Sequence, residues 1–332
     1  MRAAEPDHSA AGDLASMLGM PPQPASADAS PIGLRLQCPR CRGGIDALDC
    51  KACGFAVAIE DGILRALTPE SRAHFAGFVR DYERVRACEG RGSDSDAFYL
   101  GLPYRDASGR NTAQWRIRAR SYRYVSRRLL AELDPRRRRV LDLGAGNGWM
   151  SYRLALAGFQ PCAVDLLAND SDGLGAARHF SARLPAVFPR VQADLARLPF
   201  ADQQFDAAVF NASFHYAEQP EAALGEALRC VRAGGLVVIG DTPWYASDRS
   251  GRQMVAERRA AFGHRYGTAC DGIESLDYLT DERLQRMAGA LAIHWEIHRP
   301  WYGLRWALRP LAARLRGRRE PSRFRLHVVR KA

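Results

Sequence analysis

The sequence predicts an α/β fold organised around a nucleotide-binding unit. The first observation is a short apolar run, Arg139–Leu143, of the kind that forms a buried parallel strand. The second is a turn with glycines at alternate positions, followed from Trp149 by a helical pattern. The third is another apolar run, Gln160–Asp165, which ends in an acid that can hold both hydroxyls of a ribose. We therefore expect this unit to bind a nucleotide-like ligand.

The glycine turn narrows the choice of ligand. Gly144, Gly146 and Gly148 have no Cβ, so the turn can adopt unusual backbone angles and a ligand can lie against it. A dinucleotide fingerprint reads GxGxxG, whereas this turn reads GxGxG and its third glycine is out of place for NAD or FAD. The spacing favours an adenosine ligand without a diphosphate. A Rossmann-like domain that binds something else is the alternative.

Five motifs in order resemble the class I S-adenosylmethionine-dependent methyltransferases, and in particular their small-molecule type 11 branch. They are VLDLGAGNG (140–148), AVDL (163–166), QADLARLPF (192–200), FDAAVFNASFHY (205–216) and LRCVRAGGLVVIGD (228–241). The resemblance implies a Rossmann-like mixed sheet of seven strands with helices on both faces. It also implies the strand order 3-2-1-4-5-7-6, with the seventh strand antiparallel, and S-adenosylmethionine as the cofactor.

The resemblance also assigns roles to the residues at the strand ends. Asp142 would help to hold the methionine part of the cofactor, Asp165 the ribose, and Asp194 the adenine amino group. The whole cofactor-binding set is Asp142, Gly144, Ala145, Gly146, Asn147, Gly148, Asp165, Leu166, Asp194, Leu195 and Asn211.

His215 and Asp241 follow the fourth and fifth strands and are the candidate catalytic residues. The pKa of a histidine suits proton removal near neutral pH. Transfer to a nucleophile with an available lone pair needs mainly alignment, because a sulfonium is itself a strong electrophile. The use of a general base is therefore left open. An NPPY-type tetrad and a cysteine in the fourth motif are both absent, which disfavours methylation of DNA amino groups and of pyrimidine C5.

Four cysteines between 33 and 67 predict a small zinc ribbon. Cys38 and Cys41 form one CxxC knuckle, and Cys50 and Cys53 form a second. Two such turns bring four thiolates to the corners of a tetrahedron, and four protein ligands leave no open position, so the zinc would be structural. Two disulfides or an iron–sulfur site are the alternatives. The segment resembles zinc ribbons of some bacterial methyltransferases, where one family uses the ribbon to recognise RNA; docking on the main domain is the other role.

We expect the segments that flank the five motifs to determine which acceptor is methylated. We expect a disordered tail at 1–32, the ribbon at 33–67, a helical lead at 68–138 and the methyltransferase domain at 139–332, with insertions at 242–277 and 301–322. Tyr99, Tyr104 and Arg105 are candidates for a lid. An arginine stripe (Arg116, Arg120, Arg123 and Arg127) lies on a helix predicted from Asn111 to 133. Trp301, Leu304, Leu308, Leu311 and Leu315 share a face in 301–319 that either packs on the domain or contacts an anionic membrane or substrate.

Composition limits the class of protein. The 332 residues suffice for one large domain and a small one, and the net charge of +11 admits nucleic acid or lipid headgroups as partners. The apolar runs are shorter than the ~20 residues of a membrane span and the N-terminus lacks a secretory pattern, so we expect a cytoplasmic protein, peripheral to the membrane if 301–319 binds lipid. The expected function is methyl transfer to a small or lipid-like acceptor at O, N or C. An RNA methyltransferase and a non-catalytic cofactor-binding regulator are the alternatives.

Overall fold

The computed structural model describes residues 32–134, 136 and 138–332, and the predicted tail lies outside these residues except for residue 32. Its centre is a sheet of nine strands: β3 (Ala58–Glu60), β4 (Ile63–Arg65), β5 (Arg139–Leu143), β6 (Gln160–Asp165), β7 (Arg190–Gln192), β8 (Phe205–Asn211), β9 (Val231–Gly240), β10 (Glu296–His298) and β11 (Leu326–Arg330). The strand order is β10-β11-β9-β8-β5-β6-β7-β4-β3. The seven strands expected from the resemblance are present in the expected order, and β11 is antiparallel to both neighbours.

The sheet is larger than the seven strands predicted, because the chain that follows the cysteine cluster joins it. β4 pairs in parallel with β7, with Leu64 opposite Val191, and β3 pairs with β4 as a hairpin. Without β4, the three-residue strand β7 would leave its backbone N–H and C=O groups unpaired at the edge of the sheet. Ile63 and Leu64 are fully buried there, so the pairing also covers apolar surface.

Two further strands, β1 (Leu36–Gln37) and β2 (Gly44–Ile45), form a separate hairpin around the first CxxC knuckle. Nine α-helices complete the described part of the chain: α1 (Pro69–Cys88), α2 (Asp96–Gly101), α3 (Thr112–Tyr124), α4 (Trp149–Leu156), α5 (Pro220–Cys230), α6 (Asp248–Tyr266), α7 (Asp281–Leu291), α8 (Leu304–Ala307) and α9 (Arg309–Leu315). Short 3₁₀ helices cover Leu130–Glu132, Leu174–Phe180 and Phe214–Tyr216, and one π-helical turn covers Val125–Leu129. None of the described helices is both long and apolar enough to cross a bilayer.

Side chains along the central strands point alternately to the two faces of the sheet, so the core has two layers. Leu141 and Leu143 face one side, where they join residues of α5, α7 and the chain around the cysteines. Val140 faces the other side and joins Trp115 of α3 and Trp149 of α4. Both faces of the parallel strands are therefore covered, which explains their nearly continuous apolar sequence.

Three elements begin or end at other residues than the sequence predicts. The helix expected to reach 133 ends as an α-helix at Tyr124 and continues as the π turn and a 3₁₀ turn. The sequence pattern of 276–290 predicts a core helix, but α7 begins only at Asp281, where the Oγ1 atom of Thr280 caps it by accepting a hydrogen bond from the N–H of Arg283. The N–H groups of Leu276 and Asp277 instead donate to the loop after β8, and the N–H of Leu279 donates to the loop after β9. The pattern of 291–298 predicts the sixth strand, and the observed strand is confined to β10.

Candidate functional site

A cavity lies at the carboxyl ends of β5, β6 and β8, where ligands bind in open α/β sheets. It encloses about 840 Å³, including its mouth. The predicted residues that line it are Asp142, Gly144, Ala145, Gly146, Asn147, Asp165, Leu166, Leu195 and Asn211. The wall of the cavity that these residues form is called its floor, and the sequence predicted most of it. Gly148 and Asp194 do not line it.

The glycine turn forms the floor with its backbone. Gly144, Gly146 and Gly148 have φ angles of 72°, 55° and 77°, which side-chain-bearing residues adopt only with strain. A Cβ added to Gly144 would lie 2.2 Å from the Cβ of Ser213 in the loop after β8. The turn can approach both this loop and a ligand only because its glycines lack side chains. Gly148 lies behind the cavity and begins α4.

Asp165 ends β6 and faces the cavity. Its carboxylate accepts hydrogen bonds from the N–H of Gly146 at 2.7 Å and from the N–H of Leu167 at 2.8 Å. Burial raises the pKa of Asp165 to about 6, partly offset by these two hydrogen bonds. A carboxylate has about four lone-pair sites, so two remain for the hydroxyl groups of a ligand.

Asp142 lies beneath the glycine turn, with its carboxylate held by α4. One oxygen, Oδ2, accepts hydrogen bonds from the backbone N–H of Ser151 at 3.1 Å and from its hydroxyl at 2.7 Å. Burial raises the pKa of Asp142 to about 7, against the effect of these bonds. The second oxygen accepts no hydrogen bond from the described residues, and Asp142 contributes to the lining of the cavity.

Asp194 belongs to a smaller adjoining cavity. That cavity shares Leu166, Leu195 and Tyr216 with the main one. The Oδ1 atom of Asp194 accepts a hydrogen bond from the N–H of Ala196 at 2.9 Å, and burial raises its pKa. A ligand that extends past Leu195 would reach it.

The roof of the cavity comes from two helices that the sequence did not single out as part of the site. Phe78, Tyr82 and Arg86 project from α1, and Trp115 and Arg118 project from α3. These side chains were missed because their helical spacing also fits ordinary core packing. The sequence feature that could have identified these residues is the presence of arginines on the otherwise apolar faces of α1 and α3.

A buried ion pair connects the roof to the floor. The Nε atom of Arg86 donates a hydrogen bond to Asp172, whose other oxygen accepts one from the side-chain amide of Asn147 at 3.2 Å. An aspartate at this point of the sequence, just before a helix, is typical of a helix cap, but the carboxylate of Asp172 makes no capping hydrogen bond to the 3₁₀ helix at Leu174–Phe180. The carboxylate is instead taken up by Arg86, which compensates its charge inside the protein.

Arg118 brings a second positive charge to the roof. Its guanidinium lies 4.8 Å from the ring centroid of Trp115 and makes no ion pair with a carboxylate among the described residues. Burial, together with the charges of Arg91 and Arg86, lowers the pKa of Arg118 to about 10. It stays charged at neutral pH, so the cavity favours a ligand with an anionic group beside α3.

The two candidate catalytic residues lie outside the lining of the cavity. Burial, then the charges of Arg258 and Arg118, lower the pKa of His215 to about 3, so its imidazole is neutral at physiological pH. Asp241 is buried, and burial raises its pKa. It accepts a hydrogen bond from the hydroxyl of Ser121, which also bonds to the hydroxyl of Tyr302 at 2.8 Å.

The lid candidates do not line the cavity either. Tyr99 is fully buried, and its hydroxyl donates to the carbonyl of Ser171 at 2.6 Å. Tyr104 is exposed between Arg123 and Arg153, with each guanidinium 5.0 Å from its ring, on a different groove. Arg105 is exposed as well.

The four cysteines converge as the knuckle pattern predicted. The sulfur atoms of Cys38, Cys41, Cys50 and Cys53 all lie within 4.8 Å of one another. The Cys38–Cys53 and Cys41–Cys50 separations are 3.6 and 3.5 Å, far longer than the ~2.05 Å of a disulfide. Zn–S bonds of about 2.3 Å place the thiolates of a tetrahedral site at this kind of spacing. The cluster has the ligand set of a structural zinc site.

The segment around this cluster is docked on the main domain. The backbone N–H of Gln37 donates to the carbonyl of Pro199 at 3.1 Å, and Arg42 forms an ion pair with Glu226 of α5 at 2.7 Å. Leu34 and Leu36 are buried in the same core layer as β5.

Comparisons with known proteins agree with this geometry. The family described as "Methyltransferase domain" (Methyltransf_11) matches residues 141–239. A demethylmenaquinone methyltransferase of Renibacterium salmoninarum is 34% identical over 103 residues, which are 31% of this chain and 40% of the relative. A malonyl-[acyl-carrier protein] O-methyltransferase of Pseudescherichia vulneris is 29% identical over 209 residues, which are 57% of this chain and 79% of the relative.

Among solved structures, a methyltransferase of Thermotoga maritima described as a possible histamine N-methyltransferase is 16% identical, with a TM-score of 0.43. The alignment covers 79% of this chain and all of that one. The chain spans about two fifths of the length of the first curated relatives, at 40% and 38%.

Proposed function

We propose that this chain, whose residues 141–239 are a class I S-adenosylmethionine-dependent methyltransferase domain of the type 11 family, transfers a methyl group to a small-molecule or lipid-like acceptor. The observation that carries the proposal is the cavity. Its floor offers backbone and carboxylates for an adenosine-type donor, and its roof offers aromatic rings and Arg118 to an acceptor. The acceptor and the methylated atom are the parts that require experiment.

The floor fits the cofactor by the chemistry of its donors and acceptors. Asp165 has lone pairs left for two ribose hydroxyls, and Leu166 and Leu195 give an apolar surface for the adenine ring. Asp142 and the Gly144 backbone lie at the other end, where the methionine part would be held. When bound there, S-adenosylmethionine supplies an electrophilic methyl group. The residues of this chain position the donor, exclude water and align the acceptor.

The roof supports a partly apolar acceptor. Phe78, Tyr82 and Trp115 present rings above the floor, and Arg118 adds a positive charge that forms no ion pair among the described residues. The two curated relatives are named for demethylmenaquinone and for malonyl-[acyl-carrier protein]. We infer an acceptor that combines an apolar body with an anionic or strongly polar group.

Catalysis by alignment is favoured over a strong general base. The pKa of His215, at about 3, makes its imidazole a weak base, and Asp241 is already bonded to Ser121 away from the cavity lining. A catalytic role for either residue stays a prediction. It is tested by the pH profiles of methyl transfer in His215→Gln and Asp241→Asn.

For the zinc site we propose a structural role, supported by its four cysteine ligands and by its docking on α5. Removal of the metal by a chelator should lower the thermal midpoint of the full chain. Cofactor affinity should be unchanged below the new transition, because the cluster is not part of the cavity lining.

The first experiment is calorimetry of the full chain with S-adenosylmethionine and with S-adenosylhomocysteine. Saturable binding of both, weakened in Asp165→Asn, would support the proposal. If neither binds, the methyltransferase proposal is wrong. Transfer of a labelled methyl group from the donor to small-molecule, lipid and RNA fractions of a cell extract would then identify the acceptor class.

RNA is the second candidate acceptor, supported by the arginine stripe on α3 and the π turn. Arg116, Arg120, Arg123 and Arg127 are all exposed and form no ion pair among the described residues. Binding to RNA through these groups would weaken steeply as salt rises. Absence of RNA binding at low salt would remove this candidate. A non-catalytic regulator, the third candidate, would bind the donor and label no fraction.

A further inference from the structure

We propose that the segment 301–319 docks the protein onto a bilayer that contains anionic lipids. The segment lies between β10 and β11 and contains α8 and α9. Five of the nine large apolar side chains that are exposed in the described part of the chain lie in it: Trp301, Leu304, Leu308, Leu311 and Leu315. Leu304 and Leu315 are 72% and 79% exposed. Such a concentration of exposed apolar groups marks an interaction surface.

The leucines are exposed although the segment is firmly attached to the body of the protein. Trp306 stacks on Phe324 with ring centroids 5.2 Å apart, and the guanidinium of Arg309 lies 3.9 Å from the ring centroid of Trp306. Tyr302 reaches the hydroxyl of Ser121 on α3, and Arg319 pairs with Glu257 of α6. One face of the segment is thus fully used for packing. The leucine face has no partner among the described residues.

The charge of the segment indicates which kind of partner it binds. Residues 301–319 contain six arginines and no aspartate or glutamate. Arg305, Arg314, Arg316 and Arg318 are exposed and form no ion pair with a described carboxylate, whereas Arg319 does. Arginines beside a leucine and tryptophan face are the pattern of a helix that lies in the interface of an anionic membrane.

A second copy of the chain fits this surface poorly. A two-fold contact brings a patch onto itself, and here it would face arginines with arginines without a matching acid in the segment. RNA would bind the arginines but would leave four leucines in water. A bilayer satisfies both groups, because acyl chains receive the leucines and anionic headgroups receive the guanidinium groups. The segment contacts α3 of the cavity roof through Tyr302, so docking would place the roof near the membrane.

Vesicle flotation of the full chain without methyl donor tests the proposal independently of any methyl transfer. We expect binding to vesicles of phosphatidylcholine and phosphatidylglycerol in equal parts, and none to phosphatidylcholine alone. Leu311→Ser with Leu315→Ser should lower the partition coefficient about 30-fold. Arg314→Gln, Arg316→Gln and Arg318→Gln together should lower it about 100-fold at low salt, at roughly fivefold for each arginine.

Matched control variants distinguish vesicle binding through 301–319 from nonspecific binding through other exposed apolar residues or arginines. Leu156→Ser with Ile297→Ser changes two other exposed apolar residues, and Arg116→Gln, Arg128→Gln and Arg183→Gln changes three other exposed arginines. Both control variants should stay within about twofold of the wild-type partition coefficient.

Three results would overturn the proposal. One is the absence of flotation, or flotation that the leucine substitutions do not change. The second is a dimer in sedimentation experiments that the leucine substitutions dissolve while vesicles are not bound. The third is RNA binding that only the arginine substitutions abolish, again without flotation. Thermal unfolding of every variant shows whether a loss of binding reflects a loss of fold.

Discussion

The floor and the roof of the cavity are built in different ways. The floor uses backbone groups and carboxylates that are already tied into the sheet, such as the Asp165 carboxylate bonded to the Gly146 N–H. The roof uses side chains of α1 and α3, two helices that precede the sheet in sequence. The floor lies almost wholly inside the family match at 141–239, and the roof lies outside it.

We expect this difference to separate two functions of one cavity. A floor made of backbone and buried acids tolerates little variation, because its geometry is fixed by φ angles and strand register. A roof made of side chains on helices can change with each substitution while the helices keep their packing. We therefore expect the floor to determine the methyl donor and the roof to determine the acceptor. The following predictions test that division.

The largest effect is expected where the two parts are connected. Arg86→Met leaves the buried carboxylate of Asp172 without its cation and should lower the free energy of unfolding by about 3 kcal/mol. Adding Asp172→Asn should recover most of this loss, because the unpaired charge is removed. Chemical denaturation measures both. Arg80→Met, which removes an exposed arginine from its pair with the half-buried Asp81, is the control and should cost less than about 0.5 kcal/mol.

A substitution in the floor should impair the donor site next most strongly. Gly144→Ala adds a Cβ at φ 72° and 2.2 Å from that of Ser213, so the turn must move. We expect methyl transfer to fall about 100-fold, with donor affinity measured by calorimetry falling alongside it. Gly77→Ala in α1 meets nothing within 4 Å and should bind donor as wild type does. Normal donor binding by Gly144→Ala would contradict the assigned floor.

The pH dependence of donor binding should follow Asp165. Its pKa of about 6 means that the carboxylate loses its charge below that pH, and a neutral acid accepts hydroxyl hydrogen bonds less strongly. Affinity should therefore fall as pH drops through about 6. Asp165→Asn should bind about 10-fold more weakly at pH 8. Asp142→Asn removes the neighbouring titration at about pH 7, so a loss of affinity near pH 6 that persists in this variant belongs to Asp165. An unchanged profile in Asp165→Asn would exclude Asp165 as its origin.

The smallest effects are expected from mild changes in the roof. Phe78→Leu keeps the side chain apolar, so donor affinity should stay within about twofold while the KM for the acceptor rises about fivefold. Tyr104→Leu changes a lid candidate that lies on another groove and should alter neither value. Steady-state kinetics with the identified acceptor distinguish the two. Equal effects of both substitutions would show that the roof is assigned wrongly.

Much of the fold was predictable from local pattern. The apolar runs of β5, β6 and β8 and the glycine turn are continuous in sequence. The spacing of the four cysteines alone predicts that they form a cluster. The pairing of β4 with β7 was not predictable, because strands of three residues carry little periodic signal and their paired residues are 127 positions apart in the chain. The start of α7 was misjudged because the loops after β8 and β9 bind the backbone before it.

The sequence by itself determined the floor of the cavity. Gly144, Asp142 and Asp165 are fixed by local rules, since a left-handed turn requires glycine and a parallel strand delivers its last residue to the edge of the sheet. Only the tertiary structure decided that Arg86 meets Asp172, that Trp115 and Arg118 cover the cavity, and that the leucines of 301–319 face outward. A helical pattern shows which side chains share a face, and it does not show which surface that face meets.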